Sequence, residues 1–361
     1  MSGLKPHIFM AFHDAGGAGA AAPLIAELLK IYECTILAHD TAASVLHGIP
    51  VERKSFIQHD EAVKILEEKK PQLVFTGTST SGDTIDRVFI AAAKSLGIPT
   101  LIILDYWGNY RARFADTAGH DLACLPDKIT VMNEDAAREM IADGVPQERI
   151  VIAGSPRFEA ITKKGYDRKP HRDKIVHQYN LDNEKPWILF LSQPYVSAYG
   201  GEEGSRQKTG YTEKDSALCL INALKERDLQ LLVRLHPRED IKNRALFQNS
   251  PCVFTQDIGI NTLISACDVV TGMSTVALVD AYLMKKPVIS IQPGQKNEDM
   301  CYLTRCGLIP KCQTPDDVRR HVDNALGGRN FVDFKKGNLI INGAITNNLD
   351  LIAAMIAGNR T

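Results

Sequence analysis

Short apolar runs alternate with helix-patterned segments along the first half of this chain. "HIFMAFH" is followed by "AAAPLIAELLKIY", with Leu24, Leu28 and Ile31 at helical spacing, and then by the strand candidate "CTILAHD". "EAVKILEEKK" reads as an amphipathic helix, "PQLVFTGTS" as a buried strand, "TIDRVFIAAAKSLG" as a helix ending at Gly97 and "PTLIILDYW" as another strand. "KITVMN", "EDAAREMIADG" and "RIVIAGSP" continue the rhythm. Parallel strands must be joined by crossovers, usually helices, so the alternation restricts the chain to an α/β fold built on doubly wound parallel sheets.

The rhythm breaks once. Residues 166–186, including "YDRKPHRDKIVHQYNLDNEKP", are polar, charged and weakly periodic, as a linker would be. It then restarts with "WILFLSQP", "LQLLVRLHP", "DVVTGM" and "PVISIQPG" as strands, and "SALCLINALKERD" and "STVALVDAYLMKK" as helices. At 361 residues the chain is too long for one typical core. We expect an N-terminal Rossmann-like domain over 1–165, a linker over 166–186, a second Rossmann-like domain over 187–345, and a C-terminal helix within 346–361 whose packing partner the sequence leaves open. The polar stretch "SAYGGEEGSRQKTGYTEKD" has the profile of a mobile lid.

Composition removes several classes of function. Forty-two Lys and Arg against 43 Asp and Glu leave a net charge of −1, so no global field recruits nucleic acid or an anionic membrane. The start "MSGLKPHIFMAFHD" lacks the features of a signal peptide, and no run of about 18 apolar residues occurs. A cytoplasmic location is expected. The eight cysteines are scattered without metal-ligand spacing, so we expect reduced thiols and no metal site.

Ligands of open α/β sheets bind beyond the carboxyl ends of the strands, which directs attention to the residues that follow each strand. In "VVTGMSTVALVDAYLMKKPVISI", Gly272 ends a strand and Ser274 and Thr275 open a helix, whose free N–H groups and dipole favour an anion. Ser274 serves equally well as a plain helix cap. "LVRLHPRED" carries His236, Pro237 and Arg238 past another strand end, and imidazole beside guanidinium suits a phosphate or a leaving group. Ser192 ends a third strand.

The pairing of "LVRLHPRED" with "DVVTGMSTVALVDAYLMKKPVISI" resembles the C-terminal domain of GT-B-fold enzymes. The likeness is strongest to the bacterial capsule-polysaccharide, sialyl- and polysialyltransferase and CDP-glycerol glycerophosphotransferase families. The resemblance implies that His236, Pro237, Ser274 and Thr275 hold the phosphates of a nucleotide-activated donor. It also draws Gln295 and Glu298, in "PGQKNEDMCYLTRCGL", to the border of the donor pocket. "HIFMAFHDAGGAGAAAPLIAEL" and "ITVMNEDAAREMIADGVPQERIVIAGSPRFEAI" are similar to the first domain of these enzymes and of the related UDP-N-acetylglucosamine 2-epimerases. Two Rossmann-like domains facing across a cleft are implied, with no cofactor beyond the nucleotide sugar itself. The implied partners are that donor and a glycan or lipid-linked acceptor, the latter bringing peripheral membrane association; the oligomeric state is left open. Gly272-Met273 departs from the acidic-aromatic pair of the glycerophosphotransferases, and the acidic-acidic-glycine motif of the sialyltransferases is absent.

The opening loop "FHDAGGAGAAAPL" fits a dinucleotide fingerprint only in part, with Ala22 at the third glycine position and Asp40 as the sole acidic ribose ligand on offer. In a transferase it would face the acceptor, with His13 or Asp14 as base and Gly16 and Gly17 admitting donor phosphates; Asp14 is equally suited to capping the helix. Asp83 and Asp105 are further strand-end carboxylates suited to the same role. Tyr106, Trp107, Tyr110, Arg111 and Arg113 make an aromatic, basic stretch suited to a sugar or an acidic acceptor. The expected activity is transfer of a sugar or polyol phosphate in surface-glycan synthesis. UDP-sugar 2-epimerisation, or hydrolysis during it, is the alternative enzyme, and a non-catalytic nucleotide-sugar-binding protein the alternative of another class.

Overall fold

A computed structural model describes residues 5–79, 84–116, 120, 122–239, 241–248, 250, 252–329 and 339–358. The chain divides into two compact units, one made of Met1–Lys163 with Asn338–Thr361, the other of Lys164–Gly337.

The first unit carries seven parallel strands: β1 (His7–Phe12), β2 (Glu33–Ala38), β3 (Glu52–Arg53), β4 (Leu73–Thr76), β5 (Thr100–Ile103), β6 (Lys128–Val131) and β7 (Ile150–Ile152). Their order is β3-β2-β1-β4-β5-β6-β7, so the winding reverses between β1 and β4. β1 is buried over its whole length because both faces are covered. Its alternating side chains feed two cores: Ile8, Met10 and Phe12 join Leu24, Leu28 and Phe75 on one face, and Phe9 and Ala11 join Leu66, Val74 and Phe89 on the other. The first face is completed by Ile352 and Ile356 of the last helix, Ala344–Gly358.

The second unit holds β8 (Trp187–Leu191), β9 (Gln230–Arg234), β10 (Cys252–Phe254), β11 (Val269–Gly272), β12 (Val288–Ile291) and β13 (Lys311–Cys312). They are parallel in the order β10-β9-β8-β11-β12-β13, with the reversal between β8 and β11. The core under this sheet gathers Ile188, Phe190, Leu220, Val233, Ile289 and Val322.

Two segments differ from the sequence expectation, and a third, whose packing the sequence left open, takes its place. The stretch 166–186 contains a helix, Arg168–Tyr179, belonging to the second unit. Only Arg172 and Ile175 of that helix are buried. Arg172 ties it down by donating to the carbonyls of Asn183, Lys185 and Ala266, with its guanidinium 4.0 Å from the Trp187 ring centroid. The expected lid is folded into the helices Tyr195–Ala198 and Glu202–Thr209, held where Tyr195, Tyr211 and Met273 cluster. The final helix packs on the first unit, where the Glu159 carboxylate accepts from the N–H of Ile345. None of the eight cysteines is joined in a disulfide. Among the described residues no helix is long and apolar enough to cross a membrane, and no group of three His, Cys, Asp or Glu is arranged to hold a metal.

Candidate functional site

In the second unit the reversal of winding brings the ends of β8 and β11 together, closely enough that a Cβ on Gly272 would lie 2.9 Å from the Leu191 carbonyl oxygen. The chain then turns through Met273 and Ser274 into the helix Val276–Leu283. Thr275, not Ser274, is the cap: its Oγ1 accepts from Ala277 N–H at 3.4 Å. Ser274 is engaged otherwise. Its N–H donates to Gln193 Oε1 at 2.6 Å, and its Oγ lies 3.3 Å from the same oxygen and 2.5 Å from Tyr195 Oη. An amide oxygen only accepts, so the Ser274 hydroxyl donates to Gln193 and receives the proton of Tyr195. Tyr195 is buried against Tyr211 and Met273, and burial pushes its phenol well above its ordinary range, so it remains a donor.

The neighbouring end of β9 builds a second polar knot. Glu239 accepts from His236 N–H at 3.1 Å, from Ser192 Oγ at 2.9 Å and from Asn243 Nδ2 at 2.9 Å, which joins Ser192 to His236. Burial raises the Glu239 carboxyl above its usual range. Arg238 N–H donates to His236 Nδ1 at 3.1 Å, and a backbone amide can only donate, so the imidazole proton sits on Nε2. Burial first, then the positive charges of Arg238 and Arg234, lower the His236 pKa to about 4. This histidine is a neutral hydrogen-bond donor at physiological pH.

Pro237 and Arg238 are exposed beside it. Gln295 bonds to Asn297 and Lys311, while Glu298 is exposed, 3.7 Å from Arg305. The more enclosed acid of that segment is Asp299, its side chain 12% exposed, which accepts from Gln292 Nε2, Cys301 N–H and Thr304 Oγ1 and so orders the loop. Sequence reasoning selected Ser192, His236, Ser274 and Thr275, included Gln193 and Tyr195 in the stretch after β8 without giving them a role, and passed over Glu239. "SQPY" at a strand end and an acid three residues after His236 were the available signals.

In the first unit, the reversal point lies at the ends of β1 and β4. A Cβ on Gly17 would sit 2.9 Å from the Cα of Gly77, and one on Gly16 only 2.2 Å from Asp105 Oδ2. The space those missing side chains leave is filled by the protein's own strand-end backbone and carboxylate. Asp105 is further held by Arg113 at 2.7 Å and by Thr78 Oγ1 at 3.3 Å. Asp14 occupies the cap position of Ala15–Ile31 in an extended conformation, but its carboxylate makes no capping bond. The His13 ring packs on His39 with centroids 4.3 Å apart, and its carbonyl accepts from Thr41 Oγ1. Asp40 pairs with Arg53 on the surface. Asp83 lies outside the described residues.

The aromatic, basic stretch does not form a continuous surface: Arg111 is exposed and Tyr106 half-buried, but the other three are not. Trp107, Tyr110 and Arg113 are buried: Trp107 stacks on Phe158 and donates to Asn133, and Tyr110 donates to Glu139. A residue unmarked by sequence stands out here. Asp86, in the first turn of the helix Ile85–Ser95, is 2% exposed and accepts from Ser79 Oγ at 2.7 Å and from Arg87 N–H at 3.0 Å. Burial raises its pKa against those hydrogen bonds and the nearby His13.

No protein-family model and no curated protein matches the sequence. Solved structures do match. The S. aureus MnaA–UDP co-structure superposes with a TM-score of 0.70 at 16% identity, covering 98% of this chain and 97% of that one. UDP-GlcNAc 2-epimerase from Neisseria meningitidis, bound to UDP-GlcNAc, gives 0.63 at 13% identity over 96% and 100%. A glycosyltransferase from Rickettsia africae gives 0.56 at 14% identity over 98% and 97%. The chain has the two-domain α/β fold that the UDP-GlcNAc 2-epimerases share with GT-B glycosyltransferases.

Proposed function

We propose that this protein is a nucleotide-sugar enzyme whose second unit holds the nucleoside diphosphate at the carboxyl edge of its sheet. The observation that carries the reading is the convergence there of uncharged, oriented donors: the start of the helix Val276–Leu283 with its Ser274–Gln193 pair, and His236 with its proton on Nε2. N–H groups at the head of a helix favour phosphate oxygens, and a neutral imidazole donor can stabilise charge that develops on a departing diphosphate. The neighbours whose structures contain UDP or UDP-GlcNAc favour a uridine nucleotide.

For the reaction, we favour chemistry on the bound sugar itself, of the 2-epimerase kind, because the neighbours with TM-scores of 0.70 and 0.67 are the MnaA–UDP co-structure and 2-epimerases, against 0.56 and 0.57 for glycosyltransferases. Transfer to an acceptor is the second reading, favoured by the His-Pro and Ser-Thr motifs. Incubation with UDP-GlcNAc and no acceptor separates them. The first reading expects the C2 epimer, or free UDP with released sugar, and unchanged substrate over hours excludes it. UDP itself, at about 100 times its dissociation constant, should add about 2.7 kcal/mol of stability.

A further inference from the structure

Gln193 carries more than the sequence motifs suggest. Its Oε1 is fixed by two donors on one residue, the N–H and the hydroxyl of Ser274, and that hydroxyl is in turn oriented by the buried Tyr195. This anchoring settles which end of the amide faces which way. The oxygen meets the helix head, while the Nε2 group of this half-buried side chain makes no hydrogen bond among the described residues. Two N–H donors are thus presented at the crossover of β8 and β11, held by a planar group that cannot turn without breaking both anchoring bonds.

A second observation comes from the opposite side of the turn. Ser290 donates to the carbonyl of Met273, and Gln292 Nε2 donates to Ser290 Oγ at 2.9 Å. Gln292 has no exposed surface, yet its Oε1 has no donor among the described residues. Buried acceptors are rarely left unmet, so this oxygen calls for a donor, such as a water or a ligand hydroxyl, and not for a phosphate oxygen, which only accepts.

We propose that Gln193 supplies the direct contact to the nucleotide's phosphate oxygens and that Ser274 acts as its anchor, a positioning residue. The inference rests on the second unit binding a nucleoside diphosphate. Its physical basis is polarisation: the hydrogen bond to Oε1 from Ser274 N–H, one residue ahead of the Thr275 cap, draws electron density along the amide and strengthens the N–H groups at the other end. Ser274 N–H already has its acceptor, and a phosphate would have to displace Gln193 to reach it.

The test is calorimetric titration of the full-length protein with UDP, using Gln193→Ala, Gln193→Glu, Ser274→Ala and the Gln193→Ala/Ser274→Ala double variant. Gln193→Ala and Ser274→Ala should each weaken UDP about tenfold, and the double variant should bind no worse than the weaker single, because both remove one contact. Gln193→Glu keeps an acceptor for Ser274 and hence the local fold, but replaces the donors with negative charge, so it should lose UDP binding at neutral pH. Tighter binding by Gln193→Ala would mean that Gln193 blocks the seat, and multiplied losses in the double variant would mean that Ser274 touches the nucleotide itself; either overturns the proposal. A wild-type protein that binds neither UDP, CDP nor pyrophosphate overturns the functional reading, and this inference with it.

Discussion

His236 shows how a single residue can be set for one protonation state. Its pKa of about 4, against an unfolded value near 6.5, means that the unfolded chain binds the proton first as pH falls. The contribution to stability is complete above pH 6.5 and is lost on acidification towards pH 4, by about 3 kcal/mol. Glu239, with its raised pKa, has the opposite sign, losing stability as pH rises through its folded value. A difference measurement separates them. In urea denaturation from pH 7.5 to 4, the stability gap between wild type and His236→Asn should shrink by about that amount, and a gap independent of pH would show that the imidazole is not held neutral. Asp105 makes a contrasting case, since its carboxylate rests on the glycine backbone at the head of Ala15–Ile31 and is paired with Arg113. Of the acids described in this unit, Asp86 is the one that burial biases towards holding a proton.

At the scale of elements, the glycines of the opening loop serve approach of strand and helix. Gly17→Ala puts a methyl group 2.9 Å from Gly77 Cα and should cost about 1–3 kcal/mol as the helix is pushed off β4. Gly19→Ala meets only the guanidinium end of Arg157, which can swing away, and gains up to about 1 kcal/mol of helix propensity. Thermal melts of the two variants should therefore diverge, and equal melting points would contradict the close approach.

The same contrast marks what the sequence disclosed. Strands such as "HIFMAFH" were legible because parallel strands buried on both faces read as unbroken apolar runs. Arg168–Tyr179 was not, because a polar side chain holds it: Arg172 replaces the apolar stripe that periodicity detects, and one of its partner carbonyls, that of Ala266, lies 94 residues along the chain. The short helices after Tyr195 were hidden for a related reason, their hold being a few tyrosines. In the site, His236, Ser274 and Thr275 were legible as types at strand ends. Gln193 and Glu239 gain meaning only from what the fold sets beside them.

The whole molecule consists of one unit inserted into another. Ile352 is fully buried among residues of the first unit, so Ile352→Ala should cost that unit about 2–5 kcal/mol. In scanning calorimetry the transition of Met1–Lys163 with Asn338–Thr361 should move down while that of Lys164–Gly337 stays in place, and a uniform shift of all the unfolding would contradict the division. The chain's return to its first unit also bears on how the protein is made. Domains fold as units when their last residues emerge from the ribosome. The second unit can thus close while the first still lacks the helix that completes the face of Ile8, Met10 and Phe12. Until synthesis reaches residue 358, the part of that apolar face that Ile352 and Ile356 cover stands open beside the helix Ala15–Ile31. The stretch of translation between Lys163 and Ala344 is therefore when a nascent chain of this design most needs protection from aggregation.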